Sequence, residues 1–431
     1  MIEELDANGA MTDVQLAEIS RIEHITSLKL GNSKKLTDAG LRHLANMPQL
    51  QHLDISHTAI TDAGLSVLRD LPKLETLSLL KTNVTDSGLA NIQYCDALQR
   101  LNVMWTDSGD GAIRALAGQP NFTHFWSGNN ITDRGLALLH ELPVFKQWRG
   151  GKATLDLMSY DAGPNLLALR GQFTDAGMNH LRGLDGLFGL NLDDSRLTIT
   201  ARGIAPLVSL ANLGRLAVDA KNDWMPHIAN MPALRFLGAQ DTTATDDGWT
   251  ALSTSQSIEF IWGRRCHGLQ ASGFRSLGNM PKLRGLSVSC LNVDEAAIAT
   301  LPDFPSLRDL MPMDIPDAGY RHIGKCSELE SLVLMYCHDT TDKATEHITG
   351  LSKLKRYFNS YTTITDRTPE LLSSMNSLEE ITFDACHALT NEGIVNLSRL
   401  PGLKTLRVAG RKLTPALKSA FAPTVSVHYS H

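Results

Sequence analysis

One type of segment recurs from one end of the chain to the other, and no other feature restricts the fold as strongly. The stretches LQHLDISHTAITDAGLSVLRDLP and LETLSLLKTNVTDSGLANIQYCDA follow one another and share a layout. Taking the first apolar residue of each L-x-x-L-x-L run as the origin, units begin at Ile2, Ile25, Leu50, Leu74, Leu98, Phe122, Phe145, Leu166, Leu187, Leu213, Leu234, Ile258, Leu283, Leu307, Leu329, Leu354, Leu378 and Leu403. A period of about 24 residues kept up over the whole chain implies a stack of small units that bury their apolar sides against one another. A chain of 431 residues exceeds what one globular core can absorb, and its low aromatic content of 6% suits one small core rebuilt many times.

Each unit has parts with a physical rationale. The L-x-x-L-x-L run alternates, so that Leu53 and Ile55 face one way and His52, Asp54 and Ser56 the other, which predicts a short parallel strand. Next comes T-D-x-G-L, as in Thr61-Asp62-Ala63-Gly64-Leu65. The Thr can cap the following helix, the Asp lies in its positive first turn, and the Gly allows close approach to a neighbour. The helix runs through Leu65, Leu68 and Leu71 and stops at Pro72. Eight residues after most origins stands a small hydrogen-bonding residue, among them Ser33, Thr58, Thr82, Thr106, Asn130, Ser195, Thr242, Cys266, Cys337, Thr362 and Cys386. A side-chain ladder there can satisfy the buried turn backbone.

The segments Cys266-His-Gly-Leu-Gln-Ala-Ser-Gly-Phe274 and Cys386-His-Ala-Leu-Thr-Asn-Glu-Gly-Ile394 carry a family resemblance. With the T-D-x-G-L starts, they make the chain similar to leucine-rich repeats of the cysteine-containing, ribonuclease-inhibitor-like class, as in F-box protein repeat domains and bacterial GALA-type effectors. The resemblance covers essentially the whole chain and implies an α/β solenoid of about 18 repeats, a horseshoe with parallel strands on the concave face and helices on the convex face. Because Ile2 already begins a repeat, no F-box is expected.

The period is least regular at 149–165, RGGKATLDLMSYDAGPN, where neither T-D-x-G-L nor an amphipathic helix is found. The expected organisation is an N-terminal repeat block at 1–148, an irregular repeat or loop at 149–165, and a C-terminal block at 166–431. A hinge and a tolerated insertion both remain open for the middle segment. A second irregularity is expected near 219–228.

Binding residues have to be sought at outward strand positions, since the inner ladder is core. Early units place Ser27 and Lys29, His52 and Asp54, Thr76 and Ser78, and Arg100 and Asn102 there. Later units place Trp126, Arg149, Phe236, Phe260, Trp262, Arg264, Met311, Met313, Met335 and Phe358. Large apolar residues and Arg at outward positions are the types found where partners dock, so Trp126, Phe236, Phe260, Trp262, Arg264, Met311, Met313, Met335 and Phe358 form the candidate partner-binding strip. A register slip of one residue would turn them into core, and a covering loop would hide them.

The pairs Cys266-His267, Cys337-His338 and Cys386-His387 suggest metal or thiol chemistry. Successive pairs lie two or three units apart, roughly 10 to 14 Å along a strand stack, too far to share one zinc ion. They are read as ladder cysteines. No phosphate-binding, zinc-protease or nucleophile-elbow motif occurs, so the expectation is a non-enzyme without cofactor or metal. A net charge of −6 offers no field for nucleic acid or an anionic membrane. The absence of a leader-like N-terminus and six cysteines without a framework point to the cytoplasm, or to export that needs no Sec signal.

The function expected is a protein-interaction scaffold binding a macromolecular partner on its concave face. The alternative is the recognition component of a ubiquitin-ligase-type system or a secreted bacterial effector. Monomers, or weak homo-oligomers through the solenoid ends, are expected.

Overall fold

The computed structural model describes residues 3–148, 150–151, 153–159, 163–192, 197–335 and 337–430. Ile2, Arg149 and Ser195, named above, lie outside the described residues. The chain forms two compact units, Met1–Thr154 with Asp161–Asp219 and Met231–Leu234, and Leu155–Tyr160 with Ala220–Asn230 and Arg235–His431. The architecture is a leucine-rich-repeat solenoid. Among the described residues eighteen parallel strands follow chain order, nine in each unit, alternating with short helices.

Alternation along each strand builds the core. Leu28, Leu53, Leu77, Leu101 and Phe125 stand opposite one another in register in the first unit and are buried. Ile261, Leu286 and Leu310 do the same in the second, as do Leu332, Tyr357 and Ile381. The helices are a turn or two long, as in Asp86–Leu89 continued by the 3-10 segment Ala90–Tyr94. Such pieces are too short to be stable alone, so they depend on packing against their neighbours. Strands lengthen along the chain, from three residues at His52–Asp54 to five at Gly285–Ser289 and at Asp309–Met313.

The turn after many strands contains a left-handed residue that is not glycine, including His57, Lys81, Trp105, Arg265 and Tyr361. That conformation costs on the order of 1 kcal/mol for an L-residue. It is held by the next repeat: the amide of His57 donates to the Leu80 carbonyl at 2.8 Å and that of Lys81 to Met104 at 2.9 Å.

The structure corrects the repeat origins in three places. Phe145 does not open a strand but lies buried in the helix Pro143–Lys146, because Pro143 at the first helical position is preset for a helix. The strand Leu166–Ala168 pairs Leu166 with His124, so its repeat begins at Pro164, two residues earlier than expected. An eighteenth strand, Ser426–Ser430, pairs Thr405 with Ser426 and was not foreseen. Between Lys146 and Leu166 the described residues form no strand or helix, whereas the second irregular stretch retains the helix Met225–Ala229.

Candidate functional site: the strand face of the second unit

In the second unit, outward side chains form rows across the strands. The first row contains Phe260, Gly285, Asp309 and Ser331; the second contains Trp262, Ser287 and Met311, and, one strand on from Val333, Phe358. Met313 lies opposite Ser289 at the end of the neighbouring strand. Every strip residue on these strands therefore occupies an outward position, and the period-two reading of direction is correct.

Outward does not mean exposed. Phe236 and Phe260 are 0% and 1% exposed and Met311 is 2%, against the expectation that they present surface to a partner. For Phe260 the cause is cover: its ring stacks 6.5 Å from that of Phe236, and Leu157 lies beside it over Gly285. Leu155 and Leu157 are themselves buried, while Met158 points out at 58%. This stretch of the irregular segment is shaped by the Asp156 carboxylate, whose Oδ1 accepts from the Met158 amide at 2.9 Å and the Ser159 hydroxyl at 2.8 Å. The covered row includes Asp309, whose carboxyl is pushed up by burial against the opposing pull of Arg284 and Arg356, with Glu330 and Asp156 adding to the rise. Arg284 Nε stands 3.5 Å from Asp309 Oδ2.

Beside the covered row is a pocket of about 260 Å³. Trp262, Arg264, Met311, Met313 and Met335, five of the nine strip residues, line it. Leu291, exposed at 62%, adds apolar wall, and Arg265, His267, Ser289 and Asp314 complete the rim. Asp241 binds the Arg265 guanidinium through both carboxylate oxygens, and Asp314 Oδ2 accepts the Ser289 hydroxyl at 2.5 Å. Arg264 is exposed. Phe358 is half-buried and lies outside this pocket. The rim residues Leu291 and Asp314 were missed by the sequence reading because they follow the strands. The alternation Gly285, Ser287, Ser289 was a legible signal for a hollow.

Trp126 belongs to the first unit. It is half-buried, its ring stacked 5.6 Å from that of His124. His124 is buried, with Nε2 3.0 Å from the Gly163 carbonyl and Nδ1 2.8 Å from the Thr123 hydroxyl. Burial, aided by the charge on Arg100 and opposed by the Gly163 carbonyl, lowers its pKa to about 4.

The Cys-His pairs divide between inside and outside. Cys266 Sγ donates to the Ala239 carbonyl at 3.3 Å, Cys337 to Pro312 at 3.4 Å and Cys386 to Asn359 at 3.5 Å, while the adjoining His267, His338 and His387 are exposed. All six cysteines are buried free thiols, and burial pushes their pKa values up, to about 12 for Cys95, Cys290 and Cys326. Thiolates with nucleophilic or ligating character are suppressed by such surroundings.

A family model described as Leucine Rich repeat matches residues 46–68, one unit of the array. No curated protein matches the chain. Among solved structures, the internalin inlF of Listeria monocytogenes is 17% identical over 98% of this chain and 90% of its own, with a TM-score of 0.33. TLR13, solved as a TLR13–ssRNA13 complex, is 16% identical over 95% of this chain, with a TM-score of 0.48; the chain spans 53% of its length. The plant peptide hormone receptor RGFR1, solved in complex with RGF2, is 12% identical over 96% of this chain and 76% of its own, with a TM-score of 0.33. At these identities the likeness concerns the fold alone.

Proposed function

We propose that the chain is a non-enzymatic scaffold that binds a partner protein on the strand face of its second unit, in the pocket around Trp262, Met311, Met313 and Met335 with Arg264 at its rim. The observation that carries this reading is the convergence of those five side chains on one apolar hollow. Trp and Arg are the side chains that most often anchor interfaces, and Met adapts its shape to what it meets. Phe358 extends the surface along the second row, Trp126 is a separate candidate, and Phe236 and Phe260, being buried, contribute no surface to a partner. The negative charge of the chain disfavours nucleic acid as the partner. Six reduced, buried thiols suit the cytoplasm. Among the described residues no helix is long and apolar enough to cross a membrane.

Affinity capture with the intact chain, compared with a Trp262→Ala, Met313→Ala double variant, tests the proposal. A bound protein should be retained by the former and lost from the latter, with the thermal melt of the variant unchanged in shape. Equal recovery of every captured protein by both would remove the pocket from the binding surface.

A further inference from the structure

The strand face of the second unit is closed over at one place by the chain itself. Leu157 lies on the first outward row, beside Leu155, which is also buried, and Met158, which is exposed. The seat for Leu157 exists because Gly285 has no side chain: a Cβ there would press on the Phe260 ring and fall 3.0 Å from Leu157 Cγ. The polar groups of this stretch are turned on one another. The Asp156 carboxylate accepts from the Met158 amide and the Ser159 hydroxyl, the Asp156 amide donates to Ser159 Oγ at 2.9 Å, and the Ser159 amide donates to the Asp156 carbonyl. Among the described residues no hydrogen bond or ion pair joins 155–159 to a strand, so two leucines hold the stretch in place. Its middle residue fits the row poorly. The row continues through Asp309 and Ser331 to Arg356. The Asp309 carboxyl, raised by burial and held back by Arg284 and Arg356, is raised further by Glu330 and by Asp156 itself.

We propose that this row is a second docking seat of the scaffold, suited to an extended partner segment with two aliphatic side chains separated by one uncharged residue, and that residues 155–159 fill it until such a segment displaces them. This rests on the scaffold reading and adds to it a surface apart from the pocket around Trp262. The chemistry of the incoming segment is read from the occupant already seated. Leu155 and Leu157 stand two residues apart, the spacing at which an extended segment turns its side chains to one face, and the buried Phe260 ring lines the same seat. Exchange leaves every hydrogen bond of the sheet in place, because the stretch makes none with it. An incoming segment of the same shape recovers the apolar burial that the leucines give up. An uncharged residue in place of Asp156 also removes one of the two carboxylates that act against the charge on Asp309, which favours the newcomer over the tethered stretch.

The test is selection of random heptapeptides displayed on phage against the full chain carrying Leu155→Ser and Leu157→Ser and, in parallel, against the intact chain. The opened chain should enrich peptides with Leu, Ile or Met at two positions separated by one uncharged residue. A synthetic copy of the enriched peptide should bind the opened chain at least about tenfold more tightly than the intact chain, where a tethered competitor acts at high effective concentration. Adding Gly285→Val, whose side chain occupies the seat, should weaken binding to the opened chain by about tenfold or more, a loss typical of a disrupted anchor, in a variant whose melt matches the opened chain. Should the double variant fail to fold, Leu157→Ser alone supplies the opened chain. No enriched family, equal binding by the two chains, or binding indifferent to Gly285→Val would overturn the seat assignment. Displacement has its own readout: saturating peptide should remove the hydrogen-exchange protection of the Ser159 amide in the intact chain, and protection that persists would overturn the exchange. If peptides fail while a captured protein still depends on Trp262 and Met313, the cover is part of the fold and the scaffold reading stands on its pocket alone. If capture fails as well, both fall.

Discussion

The carboxylate of Asp62 grips Thr85 of the next repeat with both oxygens, Oδ1 accepting the Thr85 amide at 2.7 Å and Oδ2 its hydroxyl at 2.6 Å. The same clamp joins Asp13 to Thr37, Asp38 to Thr61, Asp110 to Thr132 and Asp175 to Thr200. In the second unit it joins Asp317 to Thr341, Asp342 to Thr365 and Asp366 to Thr390. Asn222 and Asn391 do the same with the amide nitrogen as donor, to Thr245 and Thr414. The Thr hydroxyl donates to the preceding repeat's carboxylate and accepts from its own helix, as Thr85 does from the Ser87 amide at 3.2 Å. One side chain thereby couples a local cap to the stacking of repeats.

Asp62→Ala should destabilise the first unit by about 2 kcal/mol, since hydrogen bonds to charged groups contribute roughly 1.5–3 kcal/mol each and this pair is partly solvated. Asp62→Asn, which copies the Asn222 arrangement, should cost less than half as much. Denaturant unfolding of both variants checks this, and equal losses would refute the clamp. Gly88 belongs to the same device, because a Cβ there would lie 2.4 Å from Asp62 Oδ1. Gly88→Ala should therefore be less damaging when Asp62 is already Ala, a coupling that a double-mutant cycle reads directly.

His124 should make stability depend on pH between about 4 and 6.5. Its folded pKa is lowered, so in that window the unfolded chain binds a proton that the folded chain refuses. The contribution is fully present above the unfolded value near 6.5 and is lost as the pH falls toward about 4, a change on the order of 3 kcal/mol. Unfolding of the intact chain and of His124→Asn at pH 7 and pH 5 would measure it. An unchanged pH slope in the variant would assign the dependence elsewhere.

The period, the strand direction and the inner ladder were legible because they repeat, and an error in one unit is corrected by its neighbours. The T-D-x-G-L starts were legible as caps, but the clamp was not, since it joins residues 22 to 25 positions apart, or 41 for Asp133 and Thr174, through geometry that appears only once repeats stack. The left-handed residues were hidden for a related reason. Lys81 has no local preference for that conformation, which a hydrogen bond to the neighbouring repeat holds in place. For Phe260 the sequence left surface and a covering loop both open, and could not decide because the segment that covers it carries no repeat signal.

The six cysteines should be inert in the native chain. Burial raises each thiol, Cys337 to about 11 and Cys95 to about 12, far above the pH of a labelling reaction. A disulfide reagent at pH 8 should therefore modify none within the time that it modifies all six in denaturant. Rapid native labelling at any one of them would show a thiol more accessible than its packing implies.

Leu157 fixes the covering segment to the second unit, and its replacement should release that segment without unfolding the repeats. Burying a leucine contributes roughly 1.5–3 kcal/mol, and the other apolar anchor in the described stretch is Leu155. Leu157→Ser should therefore abolish the hydrogen-exchange protection of the Ser159 amide, which donates to the Asp156 carbonyl at 3.1 Å, and raise the fluorescence of an apolar dye as Phe260 becomes exposed. Gly285→Val attacks the same contact from the other side, because its Cβ occupies the seat of Leu157 and should expel it. Both variants should keep the protection of the Leu286 and Leu310 amides, which lie in the sheet. If neither variant alters exchange at Ser159, the segment is held by something other than the leucine seat, and the cover over Phe260 does not depend on Gly285.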